Sequence, residues 1–307
     1  MVRFDRVLVC VGQVPRDTQM LDYVGALSRL VAVQEIHLLH VEPSEPVPVD
    51  DMLLMVPEPA GDEQIVETMR AAAQERFRGH GGEVLMCDKR RGSVLLEILR
   101  YAMEKEIDLV VVGRGGEASE GDDALLASRI TRKATCSVLV LPAGCAPRVS
   151  RILVPVRDSE CSANALEAAC RIGGAAGAPV LALNVFHVSA NYHNVGLTLE
   201  QFTANLRRWA ERECENLLNR VDRHGAAAAS RCVPDLYARP VPIILEQAAA
   251  ENADMVVIGA RGRTGAAGVL LGKVTEQLMR RSRVPVLAVK KKGECLGVLQ
   301  ALLALAG

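Results

Sequence analysis

Short aliphatic runs alternate with longer amphipathic stretches along this chain, and the whole alternation occurs twice. Runs at 6–11 (Arg-Val-Leu-Val-Cys-Val), 38–41 (Leu-Leu-His-Val), 108–113 (Asp-Leu-Val-Val-Val-Gly) and 138–141 (Val-Leu-Val-Leu) read as buried strands. They recur in the same order at 151–156 (Arg-Ile-Leu-Val-Pro-Val), 185–188 (Val-Phe-His-Val), 254–259 (Asp-Met-Val-Val-Ile-Gly) and 286–289 (Val-Leu-Ala-Val). The offset stays between 145 and 148 residues, which marks duplication of a whole domain rather than an array of short repeats.

The segments between these runs have helical period. Met20, Val24, Leu27 and Val31 share one stripe, as do Leu166, Ala169, Cys170 and Gly173, with Ser159 or Ser162 as the N-cap. Further helices are expected near 62–79 and 93–105 and, in the second copy, near 199–224 and 241–252, with strands near 83–87 and 228–233. Trp209, the only tryptophan, falls in the third of these helices. Unbroken aliphatic strands separated by helices imply parallel sheets covered on both faces, hence a doubly wound α/β fold in each copy. The expected boundaries are 1–143 and 150–290, joined by a linker containing Gly144 and Pro147, with an apolar extension at 291–307.

Composition narrows the function. The chain has 307 residues, 50% apolar and only 3% aromatic, and its formal net charge is −1. No basic face advertises nucleic acid, and the stacking platforms of single-strand binders are scarce. Nine cysteines show no Cys-x-x-Cys pair and no zinc spacing, so they read as reduced core or boundary thiols. No run is long enough for a membrane span and no signal-peptide pattern opens the chain, so a cytoplasmic location is expected. There is no Gly-x-Ser-x-Gly elbow and no His-x-x-x-His pair, so hydrolytic machinery is not visible and no catalytic residue is assigned.

Candidate chemistry gathers after the strand that ends at Gly259. The chain there reads Gly259, Arg261, Gly262, Arg263, Gly265, Gly268, Gly272 and Lys273, and a helix running to about Arg281 follows. Glycines at the carboxyl end of a parallel strand let backbone amides approach an anion, and the helix N-terminus adds favourable partial charge. The loop can also be no more than a tight connection. It is not a Walker loop, because Gly268 stands too close to Gly272-Lys273 and Val274 follows.

In the first copy the equivalent loop keeps Gly113 and Gly116, but Glu117, Glu120, Asp122 and Asp123 crowd it and would repel a phosphate. A divalent cation site is the other reading of those acids. His40 and His187 hold equivalent strand ends, and their recurrence in both copies favours a structural hydrogen bond over a switch. The basic Lys290–Lys292 cluster and the apolar segment after it read as a piece that packs on protein.

Gly259, Gly262 and Gly272 match the Gly-x2-Gly-x9-Gly-(Ser/Thr) pattern of universal stress protein domains, which the second copy resembles from its first strand to its last. The resemblance covers about 4–142 and 150–290, as in tandem members of that family. It implies two five-stranded Rossmann-like sheets of the adenine nucleotide alpha hydrolase type. It also implies that strands 138–141 and 286–289 pair within one chain as an internal pseudo-dimer. The implied ligand is ATP or a related adenine nucleotide, with or without magnesium, bound by the second copy. Pro155, Val156, Arg157 and Val188 would border the adenosine, and Gly259, Gly262, Gly272, Lys273 and Val274 the phosphates, with Arg261 and Arg263 adding charge. Two residues depart from the pattern. Arg157 stands where the family has Asp, with Asp158 one place later, and Lys273 replaces the phosphate-binding Ser or Thr. The implied role is a stress-response regulator acting through a protein partner, with a homodimer left open. The alternatives are an interaction protein with a lost site, or a slow ATPase.

Overall fold

Each aliphatic run becomes a strand whose alternate residues face two different cores, which explains why none shows a polar stripe. The structure is a computed structural model that describes residues 2–12, 17–43, 61–77, 84–115, 122–260 and 271–291. The first half contains β1 (Arg6–Val11), α1 (Thr18–Ser28), β2 (Glu35–Pro43), α2 (Asp62–Arg76), β3 (Val84–Gly92), α3 (Val94–Glu104), β4 (Leu109–Arg114), α4 (Asp122–Lys133) and β5 (Ser137–Pro142). The second repeats the plan with β6 (Ile152–Pro155), α5 (Glu160–Ala176), β7 (Val180–His187), α6 (Leu199–Arg220) and β8 (Ala228–Asp235). It continues through α7 (Pro240–Ala250), β9 (Met255–Gly259), α8 (Lys273–Arg281) and β10 (Val286–Val289).

Among the described residues the strands form one ten-stranded sheet in the order β3-β2-β1-β4-β5-β10-β9-β6-β7-β8. Pairing is parallel within each half and antiparallel at the seam, where Val286, Leu287 and Ala288 face Val140, Leu139 and Val138. The two five-stranded sheets therefore join edge to edge as an internal pseudo-dimer, and the strand that each half would expose is paired by the other. Val7, Val9, Val154 and Val257 point into one core beneath α1, α2, α5 and α6. Leu8, Val110, Leu153 and Val256 point into the other, beneath α3, α4, α7 and α8. Both cores run without a break across the seam.

Helix ends reach across the seam as well. Arg114, at the end of β4, donates to the carbonyl oxygens of Met279 (2.8 Å) and Ser282 at the end of α8. Reciprocally, Lys290, just past β10, donates from Nζ to Thr131 and Ala134 (2.7 Å) at the end of α4. Cations at helix C-termini satisfy the orphan carbonyls and the macrodipole together. Lys290, read in sequence as the first residue of a basic cluster, is thus buried at 7% exposure. Lys291 is exposed and faces Glu160 at 3.8 Å, and residues 292–307, with Lys292 and the apolar segment, lie outside the described residues.

β3 extends past the expected 83–87 through the charged Asp88, Lys89, Arg90 and Arg91, because backbone pairing with β2 continues to Pro43↔Gly92. Its polar residues suit a sheet edge, where charge discourages pairing with another chain. Of the two candidate caps, Ser159 is the N-cap of α5, its Oγ accepting from the Ser162 amide at 3.1 Å. No described helix is long and apolar enough to cross a membrane.

Candidate functional site

In the second half the strand order reverses between β6 and β9, since β6 leads to β7 on one side and β9 to β10 on the other. Such switch points open a crevice at the carboxyl ends of the strands. Here the opening has a cause in sequence. The β6–β9 ladder holds only Ile152↔Met255 and Leu153↔Val256, whereas the equivalent β1–β4 ladder runs from Val7↔Leu109 to Cys10↔Val112. The Val156 amide donates to Leu183 of β7 (2.9 Å), so by alternation position 155 faces β9. Position 155 is proline, which has no N–H to donate. Its counterpart Cys10 keeps its N–H and the ladder continues.

The floor of the crevice is set by Gly259. A Cβ there would lie 2.8 Å from the carbonyl oxygen and 2.9 Å from the carbonyl carbon of Cys161, so the first turn of α5 rests on the end of β9. Thr275 Oγ donates to the Gly259 carbonyl oxygen (3.0 Å) from a buried position on α8. The Gly272 amide donates to Ala260 (3.0 Å) and the Ala260 amide to Val289 (3.1 Å), so the two ends of the glycine loop meet. Arg261, Gly262 and Arg263, within the loop, lie outside the described residues.

On the opposite wall, Pro155 is half-buried and Val156 and Val188 are buried core residues. The backbone amide of Arg157 donates to Ser162 Oγ (3.1 Å), and its exposed guanidinium reaches the Val185 carbonyl oxygen at 3.5 Å. Asp158 faces Arg220 at 3.7 Å. His187 Nδ1 lies 3.1 Å from the Asp235 carbonyl oxygen, and His40 Nδ1 lies 3.0 Å from that of Val11. An acceptor of this kind calls for the Nδ1–H tautomer, so both histidines tie a strand end to a neighbour, as expected.

At the mouth stands α8. Its N-cap Gly272 offers no side chain, so among the described residues the amides of Lys273, Val274 and Thr275 have neither an intrahelical acceptor nor a side-chain cap. Lys273 is exposed at the first helical position, and the Val274 side chain packs on the core. Glu276, the acid of this first turn, ion-pairs with Arg132 of the first half at 2.9 Å. Among the described residues no group of His, Cys, Asp and Glu could hold a metal ion. Glu117 and Glu120 lie outside them.

The family model described as the universal stress protein family matches residues 3–142 and again 148–290. The chain belongs to the universal stress protein family. A universal stress protein of Methanocaldococcus jannaschii is 30% identical over 142 residues, which are 46% of this chain and 82% of that one. One of Mycobacterium bovis is 27% identical over 195 residues, 62% of this chain and 64% of the relative. Among solved structures, a universal stress protein from Archaeoglobus fulgidus superposes with TM-score 0.65 at 18% identity, covering 95% of this chain and 98% of that one. A Pseudomonas aeruginosa protein described as functionally unknown gives TM-score 0.68 at 16% identity, covering 98% and 97%. These likenesses concern the fold.

Universal stress domains of one chain need not keep equal sites, and these two differ. Among the described residues, Gly113, the counterpart of Gly259, has only the Met20 sulfur near a built Cβ, at 3.9 Å. α4 also begins at Asp122, about a turn before the position equivalent to Lys273, so the first half puts two acidic residues in its first helical turn. Cys161 and Thr275 were not among the residues the sequence singled out, and Ser162 was named only as a candidate helix cap. A faint signal existed in the Ser-x-x-Ser at 159–162 and in a threonine two places past Gly272-Lys273, which is how short hydroxyl side chains mark helix starts.

Proposed function

We propose that the second half binds an adenine nucleotide in the β6–β9 crevice, with its phosphates at the N-terminus of α8, and that the protein acts as a nucleotide-dependent stress-response regulator. The reading rests chiefly on Lys273. A lysine at the first position of a helix opposes the macrodipole and costs about 0.3–1 kcal/mol when no anion is near. The first half instead begins α4, about a turn earlier, with Asp122 and Asp123, and acids at a helix N-terminus suit the dipole without a ligand. In the second half the cation, the three uncapped amides and the open switch point together fit an external anion. Membership of the universal stress protein family favours ATP among the anionic candidates. Arg261, Gly262 and Arg263 would complete the phosphate cradle, and Pro155, Val156, Arg157 and Val188 the adenosine end. Magnesium would act as counter-ion of the bound phosphates rather than as a resident metal.

A second reading, an interaction module without nucleotide, is favoured by one observation. The Arg157 guanidinium lies over the end of β7, where the family pattern carries an acid. Calorimetric titration of the full chain with ATP, ADP and adenosine separates the two. The nucleotide reading requires one site per chain and affinity falling in that order. Lys273→Ala should cost ATP about 1.5–3 kcal/mol, roughly ten- to a hundredfold, for a charge-assisted contact. Added salt should weaken the wild type more than the variant. No heat at millimolar ATP would leave the interaction module, and phosphate release during the titration would identify a slow ATPase.

A further inference from the structure

Away from the crevice, two thiols meet beneath α6. Cys214 Sγ and Cys232 Sγ are 3.8 Å apart, one on α6 and the other on β8, the outermost strand of the second half. They are 18 positions apart in sequence and buried, at 1% and 6% exposure. Asn184, itself buried at 4% and level with Cys232 on the neighbouring β7, is close enough to Cys214 to lower its pKa. Arg207 fastens the same spot, donating to the Cys232 carbonyl oxygen at 3.1 Å and lying over the Phe186 ring at 5.9 Å.

We propose that Cys214 and Cys232 form a peroxide-responsive thiol pair, Cys214 as the sulfur that is first oxidised and Cys232 as the thiol that resolves it to a disulfide joining α6 to β8. Either sulfur could donate in their 3.8 Å hydrogen bond, and the surroundings favour attack by Cys214. The neighbouring Cys232 thiol and Asn184 amide hold the Cys214 pKa below the ordinary thiol value despite burial and despite Glu213 and Glu211. The Cys232 pKa is held well above that value by Cys214 and by burial, with Arg207 opposing. The thiolate is the nucleophile, so Cys214 reacts first.

The chemistry balances with hydrogen peroxide as oxidant. The Cys214 thiolate attacks one peroxide oxygen, the S–O bond forms as the O–O bond breaks, and the departing hydroxide takes a proton to become water. Cys232 sulfur then attacks Cys214 sulfur, the S–S bond forms and the S–O bond breaks. The leaving hydroxide takes the Cys232 proton as a second water. Two thiols are oxidised by two electrons and one peroxide is reduced. The sulfurs must close from 3.8 Å to a bond length of about 2.05 Å, a shift within side-chain rotation and slight movement of α6. The pair lies between α6 and β8, the edge strand of the sheet, and an oxidant the size of water reaches it by local opening of that helix.

Trypsin places the two cysteines on separate peptides, 213–220 and 232–261, each with a single cysteine. The full chain, treated with peroxide, alkylated and digested without reductant, should yield these two peptides linked, lighter by two hydrogens and separated by dithiothreitol. Cys232→Ser should leave Cys214 as a sulfenic acid that dimedone captures, and Cys214→Ser should give no capture at Cys232. The proposal fails if both cysteines are recovered as free thiols at peroxide doses that oxidise the half-buried Cys87 and Cys145, or if either links elsewhere. It also fails if dimedone marks Cys232 but not Cys214. Should a variant not fold, the linkage map of the wild type decides alone.

Discussion

Gly259 ends β9 directly against Cys161 at the start of α5, with 2.8 Å between a built Cβ and the Cys161 carbonyl oxygen. The obstacle is backbone of a helix seated on a sheet, which cannot rotate aside. Gly259→Ala should therefore destabilise the protein by about 1–3 kcal/mol, as overpacking does. Gly113→Ala, which among the described residues meets nothing nearer than a methionine sulfur at 3.9 Å, should change stability by under about 0.5 kcal/mol. Urea midpoints of the two variants check the contrast, and equal losses would mean that both glycines serve the same packing.

Pro155 opens the crevice by withholding an N–H from β9. Restoring a donor with Pro155→Val should let the β6–β9 ladder run one residue further, as it does beside Cys10. The new amide should be protected in hydrogen exchange. ATP affinity should drop by roughly tenfold, the loss of about one good contact at the closed site. A protected amide with unchanged affinity would place the ligand elsewhere.

Lys290 and Arg114 hold the two halves by capping each other's helices. Lys290→Met keeps the stem but leaves the Thr131 and Ala134 carbonyls without their charged donor, at a cost of about 1–3 kcal/mol. Arg114→Met should act likewise at the end of α8. The caps share the α4–α8 contact, where Thr131 Oγ also meets the Met279 sulfur at 3.0 Å. The double variant should depart from additivity, measurable by a double-mutant cycle in urea.

His37 sets a pH dependence of stability in the first half. Its ring is buried between Tyr101 Oη at Nδ1 and the Glu35 carboxylate at Nε2, each at 3.1 Å. The carboxylate only accepts, so Nε2 carries the proton and Nδ1 takes the tyrosine O–H. Burial lowers the His37 pKa, helped by Lys105 and Arg6, while the Glu35 hydrogen bond opposes it. A lowered value means that the folded state prefers the neutral ring. Its contribution is full above the unfolded value near 6.5 and is lost as pH falls through the folded pKa. The urea midpoint should fall between pH 7.5 and pH 5.5 in wild type, and less in His37→Gln. An equal fall in both would assign the effect to other groups.

The repeat, the strands and the fold class were legible in residue order alone. A strand buried on both faces must be aliphatic throughout, and a duplicated domain repeats that constraint at a fixed offset. Gly259 was legible too, because the close approach of the Cys161 backbone leaves no room for a Cβ. Segments whose role depends on partners far along the chain were not. Lys290 read only as the first lysine of a basic cluster, and only the antiparallel seam carries it to the end of α4. Pro155 read as a residue bordering a ligand, but its effect on the width of the crevice depends on which neighbour position 155 faces. Cys214 and Cys232 sit in segments of different period, and only the packing of α6 on β8 brings their sulfurs together. Local pattern encodes what each residue must be buried against, whereas pairing register and helix packing decide which distant groups meet.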